Sequence, residues 1–184
     1  MSAMSMTTSS VMEPPLAPVR CASAGKYLTF KLAEEEYAIE VLKVREIMGV
    51  QHITAVPQTP QSVKGVINLR GKVVPVVDLR LRFGLADTEY TARTCIIVVQ
   101  INTTEHLQMG IVVDEVCEVL NLVEGDLQET PNFGQGISTP YLLGMAKVKG
   151  KVKILLDIDH VLASDDAAGL HELLRGHVTE QVNQ

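Results

Sequence analysis

The chain has 184 residues, a formal net charge of −6 at pH 7 and 46% hydrophobic residues, which is typical of a folded globular protein. The acidic balance, the absence of tryptophan and an aromatic content of 4% argue against a nucleic-acid-binding protein, which needs a basic surface and stacking side chains. No apolar run reaches the roughly 18 residues of a membrane span, and the N-terminal region has no signal-peptide pattern. We therefore expect a cytoplasmic protein.

The N-terminal part of the chain predicts a flexible tail followed by a β-hairpin. Residues 1–25 are rich in Ser, Thr, Met, Ala and Pro and have no hydrophobic period. Apolar residues then alternate with polar ones from Leu28 to Leu32 and from Tyr37 to Val41, which predicts two half-buried strands joined by a short loop. The next segment, Val41 to Met48, fits either a helical face or a bulged strand, and its β-branched residues favour the strand.

A second hairpin is predicted on either side of Arg70 and Gly71. Gly71 adopts a positive φ without steric cost, so it suits the turn. Pro75 has no N–H to donate, which predicts that its strand lies at a sheet edge or a bulge. Asp78 follows at the position where a short helical turn needs a cap.

Two parts of the sequence repeat. Residues 38–48 align with residues 110–120 at an offset of 72, and residues 65–79 align with residues 144–158 at an offset of 79. The second alignment contains five identical pairs, which include Gly65 with Gly144 and Asp78 with Asp157. The repeat predicts two similar β units of about five short strands each, packed together with a groove between them. Small units of this kind usually close into barrels.

The sequence after residue 162 predicts a short amphipathic helix. Ser164 offers a cap, Leu170, Leu173 and Leu174 form one apolar stripe, and Gly176 suits the helix end. We therefore divide the chain into a tail at 1–25, a duplicated body at 26–162, and a helix with a frayed end at 163–184.

No motif predicts catalysis, a cofactor or a metal site. The five histidines lack metal-ligand spacing, and no phosphate-binding loop or nucleophile elbow occurs. Cys95 and Cys117 lie in apolar, strand-like segments and are expected to be buried, unreactive thiols. The segment from Lys64 to Arg82 is basic within an acidic chain, which is either ordinary strand-face charge or a surface that orients a protein partner.

The run from Val63 to Arg80, centred on Asn68-Leu69-Arg70-Gly71, closely resembles the signature of the CheW family of chemotaxis coupling proteins. Supporting motifs lie at 37–47, 110–114 and 138–144, and the resemblance extends over residues 26–162. It implies an all-β fold of two SH3-like, five-stranded barrels, in agreement with the repeat. It also implies a non-enzymatic adaptor without cofactors.

The resemblance implies partners as well. Proteins of this family join the cytoplasmic tip of methyl-accepting chemoreceptors to the histidine kinase CheA, whose regulatory domain is itself similar to CheW. Alternating contacts between such domains form rings and arrays, so the adaptor is recruited to membrane-associated receptor arrays without inserting into the membrane. An adaptor of another chemosensory pathway, such as surface motility, and a small-ligand-binding β-barrel are the alternatives.

Carried over by position, the resemblance assigns two sets of site residues. The receptor-coupling positions are Val44, Glu46, Val116 and Val119, of which Val44 and Val116 are equivalent in the repeat. Plain core packing is the alternative role for the valines. Gly65 and Arg70 match positions at which coupling or kinase binding is sensitive to substitution. A backbone requirement is the alternative role for Gly65. For Arg70, contact with the kinase, contact with the receptor and support of the hairpin are all open.

Overall fold

The computed structural model of the chain describes residues 21–102, 106–130 and 141–162. Most of the predicted tail and the whole predicted C-terminal helix lie outside the described residues, so neither prediction is tested. The described part is built almost entirely from β-strands, and this confirms the predicted all-β class.

The described residues form eleven strands, two short α-helices and two 3₁₀ turns. The strands are β1 Gly25–Leu32, β2 Glu35–Glu40, β3 Val44–Gly49, β4 Val63–Leu69, β5 Lys72–Asp78, β6 Cys95–Gln100, β7 Gln108–Val113, β8 Glu115–Leu122, β9 Leu127–Gln128, β10 Leu142–Val148 and β11 Lys151–Leu156. The two α-helices are α1 Leu79–Arg82 and α2 Ile158–Leu162, and 3₁₀ turns occupy Val41–Lys43 and Glu124–Asp126. Neither described α-helix has the length and apolar character needed to cross a membrane.

The strands of the described ranges form two sheets. A six-stranded sheet has the order β8-β1-β2-β11-β10-β9, and a five-stranded sheet has the order β3-β6-β7-β5-β4. Within these ranges the chain passes between the sheets twice. The first crossover is the 3₁₀ turn Val41–Lys43 between β2 and β3, and the second crossover is Asp114 between β7 and β8.

The sheets do not correspond to the two sequence repeats. The first repeat contains β1 to β5 and the second contains β6 to β11, yet each sheet combines strands from both. The repeats meet in the parallel pairs β2 with β11 and β5 with β7, and in the antiparallel pairs β1 with β8 and β3 with β6. The predicted duplication is therefore present as two units that exchange strands, and their equivalent strands occupy equivalent places in the two sheets.

The predicted hairpins are present. β1 pairs with β2 and β4 pairs with β5, each in an antiparallel register. The ambiguous segment from Val41 to Met48 contains both predicted features, because it begins as a 3₁₀ turn and continues as β3. The register of β3 against β6 shifts between Val44 and Glu46, so this strand carries the predicted bulge.

The sequence predicts that the Pro75 strand lies at a sheet edge or a bulge. It does not lie at an edge, because β5 lies between β4 and β7, but the β4–β5 register shifts between Val63 and Gly65, next to the residue opposite Pro75. Its opposite residue on β4 is Val66, whose N–H and C=O bond instead to Thr54 on the other side, both at 2.9 Å. The pairing of β5 with β7 begins only at Val76. Pro75 therefore stands at a ladder position where no neighbouring strand needs its missing N–H.

Three hydrophobic cores among the described residues explain why the central strands are apolar on both faces. A shared core draws on both sheets, and Leu28, Phe30, Ile97, Val99 and Ile111 belong to it. Alternate residues of the same strands point the other way, so that Tyr27 joins a core of the six-stranded sheet and Ile96 and Val98 join a core of the five-stranded sheet. Because successive side chains of a strand point to opposite faces, a strand between two cores needs a continuous apolar run.

Asp78 caps α1 as predicted, and its carboxylate accepts a hydrogen bond from the Arg80 N–H at 2.9 Å. Its repeat equivalent, Asp157, is likewise buried before α2 and accepts from His160. Burial raises the pKa of the Asp78 carboxyl above the ordinary value of 3.8, although the Arg80 N–H acts in the opposite direction. The fold therefore holds a proton at Asp78 to a higher pH than the unfolded chain does.

The raised pKa of Asp78 predicts the direction of a pH effect on stability. The stabilisation from the neutral carboxyl is complete below the ordinary aspartate pKa and is lost as pH rises through the folded-state pKa. Asp78→Asn keeps an acceptor for the cap and does not ionise. We expect its stability relative to the unsubstituted chain to rise from about pH 4 upward, measured by urea unfolding at a series of pH values. Glu129→Gln, at an exposed carboxylate, is the control, and parallel curves for Asp78→Asn and the unsubstituted chain would contradict the assignment.

Candidate protein-interaction site

Four of the six predicted site residues lie on two equivalent strands. Val44 and Glu46 are on β3, and Val116 and Val119 are on β8. In the described part of the structure, β3 and β8 are edge strands of their sheets, each hydrogen-bonded to a single neighbouring strand. Each of the two strands begins directly after a crossover, so the repeat brings equivalent strands to the boundary between the two sheets.

Val44 and Val116 have the same environment. Both side chains are half-buried and pack against the shared core from its periphery. Both valines therefore contribute to core packing, which is the alternative role considered for them. The remaining exposed part of each side chain lies on an edge strand, where a partner can reach it.

Val119 differs from these two valines because its side chain is 55% exposed. Ile47, which the sequence reasoning did not select, is 45% exposed on β3 and is the repeat equivalent of Val119. The repeat alignment already contained this signal. Ile47 and Val119 therefore place exposed, apolar, β-branched side chains at equivalent positions on the two edge strands β3 and β8.

Glu46 and Arg70 are in contact although they are 24 residues apart in sequence and carry different predicted roles. The Arg70 Nη2 atom donates to Glu46 Oε1 at 3.0 Å. Arg70 stands at the tip of the β4–β5 hairpin with φ of 52°, beside Gly71 with φ of 85°, and its side chain is 77% exposed. The contact ties the hairpin tip to β3 and leaves most of the guanidinium in water.

Gly65 is required by the backbone. It has φ of 138°, and a Cβ atom built on it would lie 2.0 Å from the carbonyl oxygen of Thr54. Thr54 and Val66 are bridged by two backbone hydrogen bonds, which bring the segment before β4 onto this strand. Its repeat equivalent, Gly144, has φ of 155°, and a Cβ atom there would lie 3.1 Å from the Gln128 carbonyl oxygen. A carbonyl oxygen therefore lies near the glycine in both repeats, and the approach is much closer at Gly65.

The basic segment from Lys64 to Arg82 is largely neutralised within the molecule. Lys64 lies 3.5 Å from the Asp87 carboxylate, Arg80 pairs with Asp114, and Arg82 donates to the Val161 carbonyl oxygen. Together with Arg70 and Glu46, these contacts leave the exposed Lys72 without an ion pair among the described residues. Ordinary internal pairing accounts for most of this charge.

The expectation that Cys117 is buried is wrong, because it lies on the uncovered face of edge strand β8 and is exposed. Cys95 is half-buried at the start of β6. Although the Cys117 residue as a whole is exposed, partial desolvation of the sulfur raises the pKa of its thiol, while nearby Lys31 lowers it. A raised pKa disfavours the thiolate, which is the reactive form.

The features that this part of the molecule presents are apolar and charged side chains on strand edges and a hairpin tip. Among the described residues, no group of three His, Cys, Asp or Glu side chains is placed to hold a metal ion. Strand edges with exposed β-branched residues and an exposed arginine are typical of surfaces that bind other proteins. The fold and site therefore define an all-β protein-interaction module.

Comparison with known proteins identifies which module this is. The family model of the CheW-like domain matches residues 26–166. A chemotaxis protein CheW from Klebsiella aerogenes is 38% identical over 152 residues, which cover 83% of this chain and 90% of the relative. One from Rhizobium meliloti is 33% identical over 152 residues, with 78% and 96% covered.

A solved structure agrees with these relatives. The scaffolding protein TtCheW from Thermoanaerobacter tengcongensis has a TM-score of 0.69 and 34% identity, with 78% of this chain and 95% of that chain covered. The chain belongs to the CheW-like family. It is a chemotaxis scaffold and adaptor rather than an enzyme.

The glycine positions predict a graded series of stability losses. Gly65→Ala forces a Cβ atom onto the Thr54 carbonyl and holds alanine at a positive φ, so we expect unfolding to become easier by about 2 kcal/mol or more. Gly144→Ala meets a milder contact and should lose less. Gly49→Ala, on β3 with open space around its Cβ position, is the control and should be nearly neutral. Urea denaturation measures all three variants, and equal losses at positions 49 and 65 would refute the backbone requirement.

Proposed function

We propose that this chain couples the cytoplasmic tip of methyl-accepting chemoreceptors to the histidine kinase CheA. The observation that carries the proposal is the duplicated edge-strand surface, in which β3 and β8 present equivalent half-buried and exposed apolar residues beside the Glu46–Arg70 pair. Membership of a family of coupling scaffolds supports it. The proposed place of action is the cytoplasm, at membrane-associated receptor arrays.

The proposed receptor contact uses β3 and β8 together. The receptor tip is a helical hairpin, and an amphipathic helix binds an apolar surface through side chains on one face. Val44 and Val116 supply half-buried apolar surface at the two crossovers, and Ile47 and Val119 supply exposed apolar surface further along each strand. The receptor-binding set therefore contains Ile47 in addition to the four residues selected from the sequence.

The proposed kinase contact centres on Arg70. Its guanidinium has several N–H donors in a planar fork, and the contact with Glu46 uses one nitrogen atom. The exposed remainder of the fork suits a carboxylate on the kinase regulatory domain. Glu46 holds the arginine toward β3, so it links the kinase-facing hairpin to the receptor-facing strand.

Coupling in this proposal depends on assembly. Each contact with receptor, kinase or another CheW-like domain is small, and an array multiplies such contacts by effective concentration. The shared core joins the two sheets. In this proposal, a displacement of β3 or β8 by the receptor therefore changes the position of the Arg70 hairpin tip relative to the bound kinase.

Arg70→Glu tests the kinase contact. We expect the folded variant to lose most of the stimulation of CheA autophosphorylation in a mixture with a receptor cytoplasmic fragment, because a carboxylate replaces the exposed cation. Lys149→Glu changes the equivalent turn residue of the β10–β11 hairpin, where φ is also 52°, and is the matched control. Exchanging both charges in Glu46→Arg/Arg70→Glu should not restore stimulation, since the partner carboxylate still lacks its cation. Normal stimulation by folded Arg70→Glu would remove Arg70 from the mechanism.

Ile47→Asp and Val119→Asp test the receptor contact. Because both side chains are exposed, we expect little loss of stability and a roughly fivefold or larger loss of affinity for the receptor fragment, as for about 1 kcal/mol of binding free energy. Val123→Asp, whose valine is 59% exposed just beyond β8, is the control. Co-sedimentation and titration measure the affinity. Unchanged binding by both strand variants would place the receptor elsewhere.

A further inference from the structure

The two crossovers are each held by one carboxylate that binds a backbone N–H and a cation. At the second crossover, the Asp114 carboxylate accepts from the Ala33 N–H at 2.8 Å and pairs with the Arg80 guanidinium. Ala33 lies in the loop between β1 and β2, and Arg80 lies in α1. One carboxylate therefore fastens the crossover to a loop and to a helix.

At the first crossover the repeat-equivalent elements meet, but the charges of the helix and the crossover are exchanged. Lys43, in the crossover itself, lies 2.7 Å from Asp159 of α2. The other oxygen of Asp159 accepts from the Asn102 N–H at 2.9 Å, in the segment between β6 and β7. A cation on the crossover thus faces a carboxylate on the helix.

The repeat places these two sites in equivalent parts of the fold, with the charged crossover residues offset by one position in the alignment. Arg80 and Asp159 occupy the same position of their repeats, one residue beyond the aligned run. Asp114 aligns with Leu42, the neighbour of Lys43. The helix contributes a cation in one site and an anion in the other, and the crossover contributes the complementary charge. The two ion pairs are therefore related by the repeat with their charges exchanged.

This exchange discriminates between the halves. If the first repeat packed against another first repeat in this geometry, Arg80 would face Lys43. If the second packed against another second, Asp159 would face Asp114. The exposed fractions of the four side chains lie between 11% and 29%, so water screens such like-charge contacts poorly. Only the association of unlike repeats places opposite charges together at both crossovers.

We propose that the ion pairs Lys43–Asp159 and Arg80–Asp114 specify the association of the two unlike repeats and position Val44 and Val116. Lys43 immediately precedes Val44, and Asp114 lies two residues before Val116. Among the described residues, β3 and β8 are each hydrogen-bonded to a single neighbouring strand. The ion pair at the crossover is therefore the second contact that fixes the first residues of each of these strands. The four charged residues are positioning residues, and the effect on coupling rests on the proposed function.

Three substitutions at the first crossover test the inference in the full-length chain. Lys43→Met removes the charge, Lys43→Asp places two carboxylates together, and Lys43→Asp/Asp159→Arg recreates at the first crossover the arrangement that the second crossover already has. Lys147→Asp, at an exposed lysine on β10, is the control for the change in net charge. We expect the urea midpoints to fall in the order unsubstituted chain, double variant, Lys43→Met and Lys43→Asp. The midpoint of the control should lie near that of the unsubstituted chain.

Receptor-fragment affinity is the second measurement. Lys43→Asp should bind roughly fivefold more weakly, within the range of coupling found for residues in contact, and the double variant should regain most of this loss. The inference is overturned if Lys43→Asp and Lys43→Met behave alike, or if the double variant is no more stable than Lys43→Asp. If the unsubstituted chain binds no receptor fragment, the proposed function fails while the order of midpoints still tests the charge exchange.

Discussion

The burial of both faces of the central strands is the constraint on which the rest of this structure depends. β1, β6 and β7 place alternate side chains in the shared core and in a core of their own sheet. A strand can be covered on both faces only if another layer packs on each of them. The two sheets therefore depend on one another, because removal of either would expose the apolar residues of the shared core to water.

This shared core also determines which strands are left with an open edge. The doubly buried strands lie inside the sheets, and the repeat places β3 and β8 at the edges beside them. Edge strands have unpaired backbone groups and uncovered side chains, which makes them natural surfaces for association. Ile47 and Val119 are exposed for this reason, on strands that also carry charged residues such as Glu46 and Glu118. Strand order and the charged residues of β3 and β8 therefore agree in leaving these strands open to solvent.

Local features were predictable from the sequence because they depend on residues close together in the chain. Alternation identified β1 and β2, the Arg70-Gly71 turn identified the second hairpin, and Asp78 was recognised as a cap. The family resemblance gave the class of protein. The exchange of strands between the repeats was not predictable, because periodicity shows that a strand has a buried face without showing which strand lies beside it.

The interior position of the Pro75 strand and the error at Cys117 have this same origin. Pro75 is acceptable inside a sheet because the N–H and C=O groups of Val66, the residue opposite it, bond to Thr54 and not to β5. The exposure of Cys117 depends on the edge position of β8. The Glu46–Arg70 contact likewise requires the hairpin tip to lie against β3. In each case the deciding neighbour is distant in sequence.

Rigidity between the sheets connects this architecture with the proposed coupling role. Four aromatic rings, Phe30, Tyr37, Phe83 and Tyr141, follow one another with centroid separations of 5.6–6.2 Å. They link β1 and β2 of the six-stranded sheet to Phe83. Phe83 directly follows α1, and α1 directly follows β5 of the five-stranded sheet. Close-packed side chains transmit displacement because they leave little free volume. In the proposed role, a receptor helix that displaced β3 or β8 would act on two sheets joined by a close-packed core, and the exposed guanidinium of Arg70 would carry that displacement to the kinase.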